Sequence, residues 1–210
     1  MVFTSPRATG SSDGFRELLE TSYQKRSLVH VSAGSGVPLL RDHVWLVVRG
    51  MVKLTALTIH GDELVLGLAG ANEPFGDPLV GVEAYSAVAL ADSDLLCLPV
   101  REIHGDPALA VAMLEAVSQR YRQSQSLLGL MGLRRVEERL RGFLELLASE
   151  YGQPCAEGLR LNVRLTHQEL ASALGTTRVT VTRVLGALRE EGWLQLDGQR
   201  RLVLSHLPRS

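Results

Sequence analysis

The sequence predicts an α+β chain: an amino-terminal antiparallel β-barrel, one long central helix, and a carboxy-terminal helix-turn-helix closed by a hairpin. Three observations carry this expectation. From Ser27 to Val100, short apolar runs (SLVHV, HVWLVVRG, VKLTALTI, LVLGLAG, SAVALA, DLLCLPV) are broken by Gly, Pro and Asp, and no long helix fits. Asp106-Pro107 then opens a helical stretch that lasts to about Gly132. Past Leu165, two short helical segments flank Gly175 and lead into two strands separated by Asp197-Gly198. A chain of 210 residues exceeds one domain of ~100–150 residues and suits two.

The elements follow in order. Residues 1–12, rich in Ser, Thr and Gly, read as a flexible arm, and residues 13–27 as a short helical approach to a barrel domain spanning 13–105. Turn signals at Gly34/Gly36, Gly50, His60-Gly61-Asp62 and Gly70 divide its strands in jelly-roll fashion. The central helix, 106–133, starts with Asp106 as N-cap and Pro107 at the first helical position, where its missing N–H costs nothing. Met113, Val117, Arg120, Ser124, Leu127 and Met131 recur along it at spacings of four and three, the seam of a two-helix coiled coil and hence of a homodimer. The other reading of that stripe is a helix packed on its own barrel with Arg120 snorkelling.

The terminal domain, 134–210, opens with a helix from Val136 to Glu150 that presents Leu140, Phe143, Leu144 and Leu147 on one side and ends at Tyr151-Gly-Gln-Pro-Cys155. Thr166 with Glu169 three residues on forms a capping box. The helix it starts runs through Leu170, Ala171 and Leu174 to Gly175, and Thr177 caps the next. That second helix has two faces: Val181, Val184, Leu185 and Leu188 on one, and Val179, Thr182, Arg183 and Gly186 on the other, flanked by Arg178. The Asp197-Gly198 hairpin that follows is a wing, with Gln199, Arg200 and Arg201 near its tip, placed either to meet phosphate, with Arg200 the expected DNA contact, or simply to be solvated.

Composition narrows the function. At 45% hydrophobic and 21% charged residues, the chain is neither disordered nor built of membrane spans, and its amino terminus lacks the apolar segment of a signal peptide, so a cytoplasmic protein is expected. Cys97 and Cys155 are too few for a disulfide scaffold, a four-cysteine zinc site or a cysteine-held iron–sulfur cluster, and are expected to be thiols. Histidines at 30, 43, 60, 104, 167 and 206 are scattered, without the His-x-His of a barrel metalloenzyme, so neither catalysis nor a metal site is expected. The net charge of −1 hides an asymmetry, +3 over 134–210 and −4 over 1–133, which points the terminal domain at a polyanion. Arg, Val, Thr and Arg on one helical face suit a major groove: Arg forks to guanine, Val and Thr methyls meet thymine, and hydroxyls reach phosphates. A haem or redox sensor using Cys97 or a histidine, and an interaction module that does not bind DNA, remain alternatives.

The arrangement resembles the cyclic-AMP receptor/fumarate–nitrate regulator (CRP/FNR) superfamily of bacterial transcription factors over nearly the whole chain after the first dozen residues. Gly175-Thr-Thr-Arg-Val-Thr-Val-Thr-Arg-Val-Leu-Gly186, preceded by Tyr151-Gly-Gln-Pro-Cys-Ala-Glu-Gly158, is similar to the global nitrogen regulators of cyanobacteria. The resemblance implies a cyclic-nucleotide-binding-like barrel and a homodimer on inverted repeats with GTA and TAC half-sites, with RNA polymerase as a further partner. It implies base contacts from Arg178, Val179 and Arg183, and backbone contacts from His167, Gln168 and Thr180, with Thr177 and Thr182 inside the same motif. Tyr85 and Arg120 match the 2-oxoglutarate pocket of these regulators, Phe75-Gly76 falls on the adjoining loop, and Gln125 stands where they carry a glutamate. Cyclic-AMP binders have a Gly-Glu-Leu stretch and an Arg-Ser pair where this chain has Phe75-Gly76-Asp77-Pro78-Leu79 and Tyr85-Ser86-Ala87. No Lys or Arg occurs between Lys53 and Arg101, so cyclic AMP is not expected as effector. The effector is left as 2-oxoglutarate, another ligand, or none.

Overall fold

The computed structural model describes residues 27–205, so the expected arm and most of the helical approach lie outside the described residues. The chain divides into two compact units, with the boundary between Ser124 and Gln125, inside the long helix.

Among the described residues the amino-terminal unit holds seven antiparallel strands: β1 (Val29–Val31), β2 (His43–Arg49), β3 (Val52–Leu57), β4 (Glu63–Ala69), β5 (Pro74–Phe75), β6 (Tyr85–Ala89) and β7 (Ser93–Pro99). They form two sheets, ordered β1-β7-β2-β5 and β4-β3-β6. The expected barrel is therefore not closed; its ladders stop at the sheet edges, one of which is the two-residue β5, where Pro74 has no N–H to donate. One core joins the sheets, with Trp45, Val47, Phe75 and Leu95 from the first and Val52, Leu54, Ala69 and Ala87 from the second. Strand β2 is buried on both faces, which explains its unalternating run of apolar residues. Its other face, Val44 and Leu46, joins Leu96 and Leu98 of β7 under helix α1 (Val100–Gly105) and the start of helix α2 (Pro107–Met131).

Helix α2 starts as its sequence predicts: the Asp106 carboxylate accepts from the N–H groups of Ala108 (2.9 Å) and Leu109 (3.1 Å) ahead of Pro107. Its faces, however, differ from the expected seam. Met113 is buried against the β2/β7 face and Val117 packs on the same cluster. Arg120 donates to the carbonyl of Leu68 and to Gln123 Oε1 (2.8 Å), and the Ser124 hydroxyl donates to the carbonyl of Leu66 (3.4 Å). Leu127 is buried as well and Met131 half-buried, so that Ser124 is the one exposed residue of the six. The expected seam thus faces the chain's own interior for most of its length. The outward stripe is Val111, Leu114, Ser118, Tyr121, Gln125 and Leu128, which also steps by three and four. Four of these are large and 60–74% exposed: Val111 60%, Leu114 67%, Tyr121 64% and Leu128 74%.

Polar residues of α2 dock on β4 because β4 is an edge strand whose outer N–H and C=O groups need partners. Gln123, 2% exposed, accepts the Leu68 N–H at 3.0 Å through the same Oε1 that Arg120 reaches. Gly67 makes the approach possible, since a Cβ there would lie 2.7 Å from Gln123 Oε1 and 2.9 Å from an Arg120 nitrogen.

The carboxy-terminal unit packs helices α3 (Val136–Tyr151), α4 (His167–Leu174) and α5 (Arg178–Glu190) with a sheet ordered β10-β11-β9-β8. Leu140, Phe143, Leu144 and Leu147 of α3 are all buried, as its periodicity predicts. Strands β8 (Gly152–Cys155) and β9 (Gly158–Leu161) form a hairpin where the sequence suggested only a helix end. β8 is the sheet edge, which is why it tolerates Pro154. Strands β10 (Leu194–Leu196) and β11 (Leu202–Leu204) form the expected wing.

Candidate nucleic-acid interface

Local chemistry builds the helix-turn-helix. Thr166 Oγ1 accepts from the Glu169 N–H (3.1 Å) while Glu169 Oε2 accepts from the Thr166 N–H (2.6 Å), completing the capping box that starts α4. Gly175, at φ 58° and ψ 48°, makes the left-handed turn that ends it. Thr177 Oγ1 accepts from the Thr180 N–H (3.2 Å) and starts α5. Val181, Val184, Leu185 and Leu188 then anchor α5 to the unit's core.

This anchoring decides what α5 shows to solvent. Arg178, Val179, Thr182 and Arg183 are exposed, Val179 by 78%, while Thr180 and Gly186 are half-buried. A branched apolar knob between two guanidinium groups is poor design for a bare solvated face and good design for a groove that offers both guanine edges and thymine methyls. Nothing lies within 4 Å of where a Gly186 Cβ would be, so that flank of the helix is open.

The hydroxyls of the motif are bonded within it to different degrees. Thr182 Oγ1 donates to the Arg178 carbonyl (2.9 Å) and lies 2.7 Å from His167 Nδ1. With that proton given to the Arg178 carbonyl, the second contact is a donation from His167 Nδ1 to the hydroxyl oxygen. Thr177 and Thr180 pair their hydroxyls at 2.9 Å, leaving one proton between them for an outside acceptor. Gln168 is exposed on the first turn of α4.

The wing is ordered by one carboxylate. Asp197 Oδ1 accepts from the N–H groups of Gln199 and Arg201, both at 2.9 Å, and Oδ2 from Arg201 Nε at 2.8 Å. The Arg201 backbone N–H, its guanidinium and the Gln199 N–H together hold the Asp197 carboxyl below the usual range. Arg201 is thereby committed within the loop, and Arg200, exposed with φ 60°, is the cation the tip presents.

Sequence reasoning missed the residue that joins these parts. Arg141 of α3 pairs with Glu137 (3.2 Å) and with Glu191 at the end of α5, and its guanidinium lies 5.0 Å from the centroid of the Trp193 ring at the start of the wing. Burial works against its charge, and the two carboxylates outweigh that. The local signals were acidic residues one turn away, Glu137 and Glu145, whereas Glu191, which completes the link, is fifty residues away in sequence.

Within the amino-terminal unit, the expected effector residues come partly together. Burial pushes the Tyr85 phenol up to about 12, against the pull of the Arg120 charge and a backbone hydrogen bond from Gly76, with Asp77 adding to the rise. Phe75, 2% exposed, belongs to the core between the sheets, and Gln125 is exposed. Arg120 is already engaged by Leu68 and Gln123. Cys97 packs against the inter-sheet core, and Cys155 Sγ lies 3.5 Å from the Gly158 carbonyl. Among the described residues no group of three or more His, Cys, Asp or Glu is placed to hold a metal, and no helix is long and apolar enough to cross a membrane.

A capped pair of helices, an exposed Arg-Val-Thr-Arg face on the second and a basic-tipped hairpin define a winged helix-turn-helix, the reading head of a DNA-binding protein. Known proteins agree with this reading and extend it. Residues 138–209 match the Crp-like helix-turn-helix domain. The global nitrogen regulator of Nostoc sp. is 33% identical over 176 residues, 80% of this chain and 78% of that protein. A solved CRP/FNR-family transcriptional regulator from Thermus thermophilus superposes with a TM-score of 0.68 at 28% identity, covering 86% of this chain and 94% of that one. A cyclic nucleotide-binding domain-containing protein from Listeria monocytogenes, at TM-score 0.75 and 17% identity over 93% of this chain and 98% of its own, shares the fold. The chain belongs to the CRP/FNR family and is a DNA-binding transcriptional regulator.

Proposed function

We propose that the protein works in the bacterial cytoplasm as a homodimer that reads an inverted repeat, acting by binding rather than catalysis. The observation that carries this reading is the face of α5, where Val179 stands exposed between Arg178 and Arg183. Arg178 and Arg183 address the guanine and Val179 meets a thymine beside it, in keeping with the GTA and TAC half-sites that the resemblance to the nitrogen regulators implies. Thr180, Gln168, His167 and Arg200 contact the sugar–phosphate backbone, and RNA polymerase is the further partner. One recognition helix covers one half-site, so two copies are needed. The outward stripe of α2, with Val111, Leu114, Tyr121 and Leu128, supplies the surface on which they pair. Selection of sites from random DNA tests the reading: an inverted repeat with guanine and thymine in each half supports it, and enrichment of no sequence refutes it.

The amino-terminal unit is a poor receptor for cyclic AMP, because no cation stands between Lys53 and Arg101 to meet its phosphate. 2-Oxoglutarate, held by Arg120 beside Tyr85, Gly76 and Phe75, is the acidic candidate, and it must displace Gln123 and the Leu68 carbonyl from Arg120. That competition favours a weakly gated or effector-independent regulator. Calorimetry with both compounds on wild type and Arg120→Ala decides: micromolar cyclic AMP binding refutes the first statement, and 2-oxoglutarate binding untouched by Arg120→Ala refutes the second.

A further inference from the structure

Thr182 carries two groups with opposite readouts on DNA. A hydroxyl can hydrogen-bond base edges or phosphates, and a γ-methyl can only pack against an apolar group such as the thymine C5-methyl. Which one is presented depends on where the hydroxyl is held. Here its proton is spent on the Arg178 carbonyl at 2.9 Å, and one of its two lone pairs accepts from His167 Nδ1 at 2.7 Å. The donor lies on α4 and the acceptor carbonyl on α5, so the hydroxyl is fixed between the two helices. The methyl is the branch of the side chain left unheld. Val179 stands three residues earlier on the same face and is itself 78% exposed.

We propose that His167 is a positioning residue for sequence recognition: by holding the Thr182 hydroxyl it makes Thr182 read DNA through its methyl group, as a thymine contact next to Val179. The inference rests on the reading of α5 as the helix that enters the groove. Without the bond from His167, only the Arg178 carbonyl holds the hydroxyl, and the Thr182 side chain turns more readily about χ1 to offer it instead, since threonine in helices divides between two rotamers. His167 would then influence specificity without touching a base.

The test uses the full-length protein and the duplex selected by wild type from random DNA, with each thymine replaced in turn by deoxyuridine, which removes the methyl group alone. Wild type is expected to bind about fourfold more weakly at one or more of these positions, the worth of one buried methyl. Val179→Ala identifies the positions read by Val179; at the remaining sensitive position the ratio should fall to one in Thr182→Ser and persist in Thr182→Val. His167→Phe should lower that ratio in the wild-type background and leave it unchanged in the Thr182→Val background, where no hydroxyl remains to be held. A purely structural role for His167 would weaken all duplexes alike in both backgrounds. The proposal is overturned if Thr182→Val loses sequence preference while Thr182→Ser keeps it, if the ratio is indifferent to Thr182, or if His167→Phe changes the ratio equally in both backgrounds. Arg178→Ala on the same duplex separates the two failures: an unchanged affinity there means that α5 is not the reading helix, whereas a loss there without any deoxyuridine effect overturns only the role given to His167 and Thr182.

Discussion

Leu114→Glu is the sharpest test of how two copies pair. Leu114 is 67% exposed on the outward stripe of α2. Full burial of a leucine side chain stabilises by ~1.5–3 kcal/mol, so covering two-thirds of one gives about 1–2 kcal/mol per protomer and about 2–4 kcal/mol per dimer. The substitution also sets two carboxylates near each other across a two-fold axis, which adds roughly 1 kcal/mol or more of desolvation and repulsion. A total near 4 kcal/mol corresponds to about a thousandfold rise in the dimer dissociation constant. Sedimentation velocity from 0.1 to 50 μM, on the order of the range such a shift spans, should show monomer for Leu114→Glu with the circular dichroism spectrum of the wild type and a Tm lowered only by the lost dimerisation. Met113→Glu, one residue earlier, should do the reverse: it puts a charge into the cluster of Val44, Leu46, Leu96 and Leu98 and lowers the Tm steeply. If Leu114→Glu stays dimeric at 1 μM, well inside about that same window, or if Val117→Glu dissociates the dimer without loss of stability, the outward stripe is not the pairing surface.

Three further outcomes are expected. Arg178→Ala and Arg183→Ala should each cost ~1–3 kcal/mol of specific DNA affinity and relax the preference at a guanine, and Val179→Glu should shift the neighbouring preference from thymine to cytosine; a loss uniform over all sequences in competition binding would contradict this. Arg141→Ala removes the link from α3 to Glu191 and Trp193 and should destabilise the carboxy-terminal unit by about 1–2 kcal/mol, and Arg141→Lys should lose most of the same amount, because an ammonium cannot both fork to two carboxylates and lie flat over an indole; equal stability of wild type and Arg141→Ala in urea titrations would refute it. Asp94, held below its usual range by hydrogen bonds from His30 first and Arg49 next, ties β1, β2 and β7 together. Its contribution is full above the unfolded value near 3.8 and vanishes as pH falls through the lower folded value, so Asp94→Asn should lower the Tm at pH 7 modestly and flatten its decline below pH ~4; a parallel offset at every pH would contradict the linkage.

Features set within about four residues were legible in the amino-acid sequence. The Thr166/Glu169 capping box, the Asp106-Pro107 helix start, the left-handed Gly175 and the two faces of α5 depend on short-range hydrogen bonds and on φ preferences that each residue carries with it. Because these same features make the reading head, the DNA-binding function was legible too. Other features answer to partners distant along the chain. Two stripes of α2 step by three and four and are about equally apolar, and only the β2/β7 face under Met113 and Val117 decides which one is inside. A hydroxyl on Thr182 reads as a phosphate donor until the Arg178 carbonyl takes its proton and His167, fifteen residues earlier, donates to its oxygen. Arg201 reads as a wing cation until Asp197 binds it, and Arg141 as a solvated helix residue until Glu191 and Trp193 close around it. Periodicity states that a face exists, whereas what covers that face, and which polar atoms are spent before any ligand arrives, is fixed only when the elements pack.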